Sequence, residues 1–233
     1  SAQGSGAAIT NYVEAIAPLW SGDRVSGFRI RDRERRPGEG EIDLKAHRVV
    51  VCAGPWTDQV GMSLSSQWKT WLSPSKGVHI LFDLKKLPVP GAMVMSHPED
   101  GRIAFVIPRP DFGAGVTIVG TTDGPTPKNP ESAEIEPSDI EYLFSLLNRY
   151  FPTLDLKPSD ILSGYVGVRP LMRSDGEQSL QKVSREHHID LGPGGTIMVA
   201  GGKYTTHRTM AQEIVDFALK TWKNDLKEGK LSL

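Results

Sequence analysis

The sequence has little cysteine, no excess of one charge and no long apolar run. Its 233 residues contain a single cysteine, Cys52, which excludes an internal disulfide and fits a reducing compartment. The 27 lysines and arginines are balanced by 28 aspartates and glutamates, which disfavours nucleic acid as the main partner. No apolar run approaches the roughly 20 residues that a membrane-spanning helix needs, and no signal peptide is recognisable. We therefore expect a globular chain of one large domain or two small ones.

The motifs of several common enzyme classes are also missing. The fingerprint G-x-G-x-x-G, which marks many dinucleotide sites, does not occur. No Asp/Glu spacing or His/Cys cluster predicts a metal site, and no nucleophile elbow supports Ser-His-Asp catalysis. Candidates for function must therefore come from glycine turns at strand ends and from cations in apolar surroundings.

Apolar patterning predicts α/β structure at both ends of the chain and an antiparallel sheet between them. The run Val49–Ala53 is continuously apolar, as in a strand buried on both faces, and Cys52 is expected to be a small buried side chain. Four short strand-like runs follow between residues 77 and 120. A helix with one apolar face is expected to begin at Pro137 or Ser138.

This order of elements predicts two domains. Residues 7–66 and 186–225 are expected to share one sheet as two parts of a single domain, and residues 67–185 are expected to form an inserted antiparallel lobe. Residues 1–6 have the composition of a disordered lead. The chain then opens directly into a strand-like run, so we expect it to begin partway through a larger protein.

A double glycine follows the last predicted strand. Residues 196–200 are largely apolar, Gly201 and Gly202 come next, and apolar residues recur at helical spacing from Met210. Glycines let another molecule lie flat against the backbone, and the N–H groups at a helix start favour negative charge. A flavin ring suits such a place because its reduction puts negative charge on the N1–C2=O edge. An ordinary strand-to-helix turn is the alternative.

Three cations lie on or beside predicted strands in apolar surroundings. They are Arg169, Arg185 and Lys203. A cation in such a setting is costly unless an anion meets it, and the planar fork of arginine suits phosphate or carboxylate. A pairing with a carboxylate of the protein is the alternative for each. His79 also lies on a predicted strand, where a structural role is the alternative to a catalytic one.

Several short motifs occur in a specific order and spacing. They are residues 49–56 (VVVCAGPW), 76–79 (KGVH), 119–123 (VGTTD), 168–171 (VRPL), 184–187 (SREH) and 202–208 (GKYTTHR). Together they resemble the FAD-dependent glycerol-3-phosphate dehydrogenase family over about residues 7–223. One departure is Arg109, which follows Pro108 where members of that family often carry tryptophan. A substrate or flavin contact at Arg109 is therefore not predicted.

The resemblance implies an α/β flavoprotein of the DAO-like, FAD/NAD(P)-binding fold with an antiparallel substrate lobe. Residues 7–66 and 186–225 would then belong to the FAD-binding domain. In the family, a Rossmann segment with the glycine fingerprint comes first and a helical domain usually comes last. Neither is found in this sequence, so the resemblance implies a central fragment that is truncated at both ends.

The resemblance also implies roles for individual residues. Arg169 and Arg185 would bind the substrate phosphate. His79 would contact the substrate and accept a proton, with Lys203 as the second candidate base and as a cation beside the flavin. The residues implied to meet FAD are Ala53, Gly54, Gly201, Gly202, Lys203, Thr205 and Thr206.

The implied activity of the parent protein is the oxidation of sn-glycerol 3-phosphate to dihydroxyacetone phosphate. The C2 hydride would pass to flavin N5 and the electrons would pass on to a quinone. This implies a cytoplasmic protein that contacts the inner face of the cell membrane peripherally. The alternatives are an oxidase that uses oxygen, a related amine-oxidising flavoprotein, and an isolated fragment that is not catalytic. We expect the isolated fragment to be colourless and inactive, because the missing glycine fingerprint would hold the FAD pyrophosphate.

Overall fold

The computed structural model of the chain describes residues 2–36, 38–173 and 187–228, and it divides into two compact units. Unit 1 comprises Ser1–Leu72 and Met172–Leu233, and unit 2 comprises Ser73–Leu171. Unit 2 lies inside the predicted range 67–185, and the exact domain bounds proposed from the sequence stay predictions.

Twelve strands and three α-helices are assigned in the described residues. The strands are β1 Val13–Ser21, β2 Arg24–Asp32, β3 Glu41–Lys45, β4 Val50–Val51, β5 Ser75–Asp83, β6 Met93–Ser96, β7 Ile103–Arg109, β8 Val116–Gly120, β9 Gly124–Pro125, β10 Ile161–Arg169, β11 His187–Leu191 and β12 Ile197–Gly201. The helices are α1 Thr57–Leu64, α2 Pro137–Tyr150 and α3 His207–Lys227. No described helix is both long enough and apolar enough to cross a membrane.

Unit 1 contains two three-stranded sheets. Strands β1, β2 and β3 form an antiparallel meander. In the second sheet, β12 lies between β11 and β4, and it pairs in parallel with β4 through Ile197↔Val50 and Met198↔Val51. Of the strands in the predicted range 7–66, β4 therefore shares a sheet with β11 and β12, while β1–β3 form a sheet of their own.

The prediction of a strand buried on both faces at Val49–Ala53 is wrong for the described structure. Only Val50 and Val51 are assigned as strand, Val50 is 41% exposed, and Cys52 is exposed rather than buried. In the part of the chain that the structure describes, β4 is the edge strand of its sheet and is paired with β12 alone, so its outer edge is uncovered. An apolar run alone does not distinguish an edge strand from a central one.

Unit 2 is an antiparallel sheet with a helix packed on one face. The strand order is β10-β5-β8-β7-β6, with β9 paired to the start of β5. One face of the sheet packs against α2 to form a fully buried core, whose members include Val78, Ile80, Phe82, Val106, Val119, Leu143, Leu146 and Leu147. Helix α2 begins at Pro137, as the sequence predicted, behind a capping box formed by Glu136 and Asp139.

The opposite face of this sheet carries a row of residues that are paired across five strands. The register places Val94 beside Phe105, Phe105 beside Gly120, Gly120 beside His79, and His79 beside Tyr165. Alternate residues of a strand point to opposite faces, so Ser75, Gly77 and His79 share this open face while Lys76 and Val78 turn toward α2. Strand β5 thus supplies core residues on one side and candidate functional residues on the other.

The charged side chain of Lys76 is buried on the α2 side of the sheet. Lys76 is 3% exposed, and its Nζ lies 2.8 Å from Asp139 Oδ2 and 2.6 Å from Glu136 Oε2. Burial lowers the pKa of Lys76, but hydrogen bonds to the two carboxylates outweigh it and hold the pKa above its usual value. Asp139 also accepts a hydrogen bond from Thr122 Oγ1 at 3.1 Å. This ion pair therefore ties β5, the segment after β8 and the start of α2 together.

The substitution Asp139→Asn is expected to destabilise the chain strongly. It keeps the shape of the side chain but leaves the buried Lys76 without its buried counter-charge, so the free energy of unfolding should fall by about 3 kcal/mol. The matched control is Glu136→Gln, because Glu136 contacts the same ammonium group but is 62% exposed and should cost less than about 1 kcal/mol. Urea unfolding measures both. Equal losses in the two variants would contradict the role assigned to the buried pair.

Candidate active site

His79 lies on the open face of the unit 2 sheet, on the strand next to β10. On one side its imidazole stacks on Tyr165, with ring centroids 4.8 Å apart and an angle of 8° between the planes. On the other side the neighbouring strand carries Gly120, where a β-carbon would lie 2.6 Å from His79 Cγ. The ring therefore occupies the space that a side chain at position 120 would fill.

The protonation state of His79 follows from its surroundings. Partial burial lowers the pKa of His79, and the positive charge of Arg169 lowers it further. A pKa below the usual value of about 6.5 leaves the imidazole neutral at pH 7, with one ring nitrogen carrying a lone pair. The histidine is therefore able to accept a proton at neutral pH.

Arg169, the last residue of β10, reaches back across β5. Its Nη2 donates to Thr121 Oγ1 at 2.7 Å and to the Thr122 carbonyl at 3.1 Å, while its Nη1 donates to the Lys76 carbonyl at 3.3 Å. The carboxylate of Asp123 lies 3.5 Å from Nη1. These contacts fix the position of the guanidinium before any ligand arrives.

The guanidinium crosses the sheet at Gly77. A β-carbon there would overlap the guanidinium and lie 2.6 Å from Thr121 Oγ1, so the crossing requires glycine at this position. Gly77 and His79 are on the same face of β5 and are separated by two residues, which is roughly 7 Å along a strand. The structure thus brings a fixed cation and a neutral imidazole together on one open face.

A second feature lies in unit 1, at the carboxyl ends of two parallel strands. Val51 and Met198 are partners in the parallel pair of β4 and β12. Gly54 comes three residues after Val51, and Gly201 comes three residues after Met198, so the two glycines occupy equivalent positions. Each strand end leads through a short 3-10 turn into a helix, α1 or α3. Such an edge, at the carboxyl ends of parallel strands, is where open α/β sheets bind ligands.

The backbone at Gly54 is accessible at this edge. Gly54 has a φ of 54° and open space where a β-carbon would be, while Gly201 has a φ of 71°. The buried hydroxyl of Thr57 donates to the carbonyls of Gly54 and Val199 at 2.8 and 3.3 Å and ties the two strand ends together. Ala53 is partly buried beside Gly54. The open space at Gly54 lets a ligand approach the backbone closely, and helix starts of this kind favour negative charge.

The residues that follow the double glycine, 203–206, are exposed to solvent. They include Lys203, Thr205 and Thr206, and the Thr206 hydroxyl donates to the Lys203 carbonyl at 3.0 Å. The space beside Gly202 is filled by Met210 from α3. In this structure Gly202 therefore serves the packing of its own helix, whereas Gly54 faces open space.

The predicted site residues fall into three groups. His79 and Arg169 lie on one face of unit 2, whereas Ala53, Gly54, Gly201, Gly202, Lys203, Thr205 and Thr206 lie in unit 1. Arg185 is outside the described residues. Their predicted roles stay predictions.

Sequence reasoning missed Tyr165 and Gly120, the two neighbours of the His79 ring. The strand alternation of residues 164–169 could have shown that Tyr165 and Arg169 share a face. The register that places Tyr165 beside His79 is not encoded locally in either strand.

Comparison with known proteins gives the family. The FAD dependent oxidoreductase (DAO) family matches residues 1–214. The chain belongs to this family. A similar solved structure is the glycerol-3-phosphate dehydrogenase from Bacillus halodurans complexed with FAD, which is 30% identical to this chain with a TM-score of 0.77. The similarity covers 92% of this chain and 39% of that one.

Curated relatives similar to the chain include proteins named glycerol-3-phosphate dehydrogenase. An aerobic glycerol-3-phosphate dehydrogenase of Staphylococcus saprophyticus is 33% identical over 225 residues, which cover 96% of this chain and 39% of the relative. A mitochondrial glycerol-3-phosphate dehydrogenase of Macaca fascicularis is 33% identical over 96% of this chain and 30% of its own length. The chain thus spans about two fifths or less of these relatives. The resemblance derived from the motifs is confirmed.

The DAO-like fold is also confirmed. Besides the Bacillus halodurans structure, a glycine oxidase from Bacillus cereus is similar with a TM-score of 0.52 at 17% identity, a likeness that shows the fold alone. The family match and these structures agree with the combination of α/β elements and an antiparallel sheet described above.

Two glycines that face each other across β5 and β10 provide a direct test of the Arg169 position. Gly77→Ala should force the guanidinium away and lower the free energy of unfolding by about 1–3 kcal/mol, because the close approach leaves no room for a methyl group. Its partner Gly167 has open space, so Gly167→Ala should be neutral or slightly stabilising. Urea unfolding of both variants measures this. A Gly77→Ala variant as stable as Gly167→Ala would show that the guanidinium does not lie across Gly77.

Proposed function

We propose that the whole protein that carries this chain is an FAD-dependent glycerol-3-phosphate dehydrogenase, which oxidises sn-glycerol 3-phosphate to dihydroxyacetone phosphate. The observation that carries the proposal is the placement of His79 and Arg169 on one open face of unit 2. The guanidinium crosses β5 at Gly77, which is two residues, or roughly 7 Å, from His79 along the strand. This spacing suits a substrate whose reacting hydroxyl and phosphate are joined by a short carbon chain. The names of the curated relatives support the same activity.

In this proposal His79 is the general base. It is neutral at pH 7 because burial and Arg169 lower its pKa, so it can take the proton of the C2 hydroxyl as the C2 hydride leaves. Positioned general bases typically contribute about 10²–10⁴-fold to a rate. Lys203 is the second candidate for this role.

Arg169 binds and orients the substrate phosphate. Its guanidinium is held by the threonine hydroxyl and the carbonyls described above, so little of its conformational freedom is left to lose on binding. A phosphate dianion is a stronger partner for arginine than the neutral hydroxyl of Thr121, which is the group it is expected to displace. Arg185 is proposed as the second phosphate ligand on the basis of the family resemblance.

FAD, when bound, supplies the two-electron acceptor. The residues proposed to hold it are the strand ends at Ala53-Gly54 and Gly201-Gly202, with Thr205 and Thr206 beside the start of α3. The open backbone at Gly54 and the paired helix starts support this assignment. Lys203 adds a positive charge next to the same edge, where it would stabilise negative charge on a reduced ring.

The fate of the electrons is a further part of the proposal. We propose a quinone as the acceptor and a cytoplasmic protein that contacts the inner face of the cell membrane peripherally. The support is the family resemblance together with relatives named as aerobic glycerol-3-phosphate dehydrogenases. Glycerol 3-phosphate remains the substrate in this account whichever acceptor is used.

The substitution Arg169→Gln tests the phosphate site in the whole, FAD-loaded protein. A hydrogen bond to a charged group contributes about 1.5–3 kcal/mol to binding. Its loss should lower kcat/KM for glycerol 3-phosphate by roughly ten- to hundredfold. The bound flavin should be unchanged, because the proposed FAD residues lie elsewhere in the chain.

The matched control is Arg109→Gln. Arg109 lies on the same sheet but at the opposite end of the strands, where it pairs with Asp111 at 2.8 Å. This variant should keep kcat/KM within about twofold, since exposed pairs contribute little. An Arg169→Gln enzyme with unchanged kcat/KM, or equal losses in both variants, would remove Arg169 from the site.

A further inference from the structure

We propose that Tyr165 is a positioning residue that fixes the orientation of the His79 imidazole over Gly120. The inference deepens the proposed function, since it rests on His79 acting as the proton acceptor. It assigns no chemical step to Tyr165 itself. The ring of Tyr165 acts through His79 alone.

The geometry on the two sides of the imidazole is unequal. Tyr165, the cross-strand partner of His79, covers one face of the ring in a nearly parallel stack at 4.8 Å. Gly120, the partner on the other strand, offers no side chain, and Phe105 stands one strand further away. A histidine has three χ1 wells and a broad, roughly two-fold χ2, so a ring with an open neighbour can turn. The stack with Tyr165 selects one of these orientations.

Burial does not account for a tyrosine at this position. Tyr165 is 49% exposed and points away from the core that α2 covers, so its aromatic ring does not fill the interior of unit 2. Partial burial raises the pKa of the Tyr165 phenol. The phenol therefore stays protonated at neutral pH and is unsuited to accept a proton. Among the described residues, the ring contact recorded for Tyr165 is the stack with His79, and offset stacking is one of the two arrangements that aromatic pairs prefer.

Orientation matters because a general base must lie within hydrogen-bond reach of the proton that it takes. That reach is about 2.6–3.2 Å between heavy atoms, and a small misplacement of the ring moves the accepting nitrogen out of it. Loss of the stack should therefore lower kcat while leaving KM nearly unchanged, because the phosphate contact at Arg169 is separate. Converting the usual energy of an aromatic pair gives a loss of roughly three- to tenfold in kcat.

The first arm of the test measures the stack without any catalysis. Histidine ring protons of this chain are observed by NMR, and the His79 signals are assigned by their loss in His79→Gln. The aromatic ring at position 165 should shift the resonances of the His79 ring protons through its ring current. We expect this shift in the parent chain and in Tyr165→Phe, which keeps the aromatic ring. In Tyr165→Leu the shift should disappear, and Tyr165→Val serves as a second variant if the leucine chain does not fold. An unchanged His79 shift without the aromatic ring would overturn the proposal.

The second arm measures turnover in the whole, FAD-loaded protein. Tyr165→Leu should lose roughly three- to tenfold in kcat with KM within about twofold, and Tyr165→Phe should restore the parent kcat. A phenylalanine variant as impaired as the leucine variant, or a leucine variant with full kcat, would overturn the positioning role.

The two arms also separate this proposal from the proposed function. Full activity in His79→Gln would refute the role of His79 as base, and with it the positioning role, even if the NMR arm still shows the stack. Loss of activity in His79→Gln together with full activity in Tyr165→Leu would refute the positioning role alone.

Discussion

The crossing of the Arg169 side chain over Gly77 is the interaction on which the account of unit 2 depends. The guanidinium reaches its place only because position 77 lacks a β-carbon, and it is held there by the turn that follows β8. The same turn serves the core, since the Thr122 hydroxyl accepts from the Val78 amide and donates to Asp139. The buried ion pair on one side of the sheet and the cation on the other therefore share one short segment. A change in either is expected to be transmitted to the other through Thr121 and Thr122.

This arrangement explains how one strand serves both stability and chemistry. Along β5, Lys76 and Val78 turn toward α2, while Gly77 and His79 turn to the open face. The core residues fix the strand, and the strand in turn fixes the spacing between the guanidinium and the imidazole. Sites built on such regular elements are held more precisely than sites on loops. In unit 1 the same logic applies at the two parallel strand ends, which Thr57 joins through the carbonyls of Gly54 and Val199.

Local signals in the sequence predicted part of this structure. The helix start at Pro137 followed from proline and capping chemistry, and the α/β character of both chain ends agrees with the pairing of β4 with β12. The edge position of β4 did not follow, because the apolar run at 49–53 carries no information about which strands lie beside it. For that reason the exposure of Cys52 was not foreseen.

The candidate site was predictable as a set of residue types but not as a geometry. The chain pattern singled out His79 and Arg169, yet their common face depends on the register between β5 and β10, which neither strand specifies by itself. The sequence shows Gly77 as one residue of a motif but does not show why glycine is required there. The requirement comes from the Arg169 guanidinium, which lies across this position. Lys76 stood in the same motif with no sign that Asp139, 63 positions later, would neutralise it.

The most direct test of the central claim is a crystal structure of the whole protein with FAD and sn-glycerol 3-phosphate bound. We expect a phosphate oxygen within hydrogen-bond distance of the Arg169 guanidinium. We also expect the C2 hydroxyl within about 2.6–3.2 Å of a His79 ring nitrogen. A complex in which the phosphate binds away from Arg169, while the C2 hydroxyl contacts a different base, would contradict the claim.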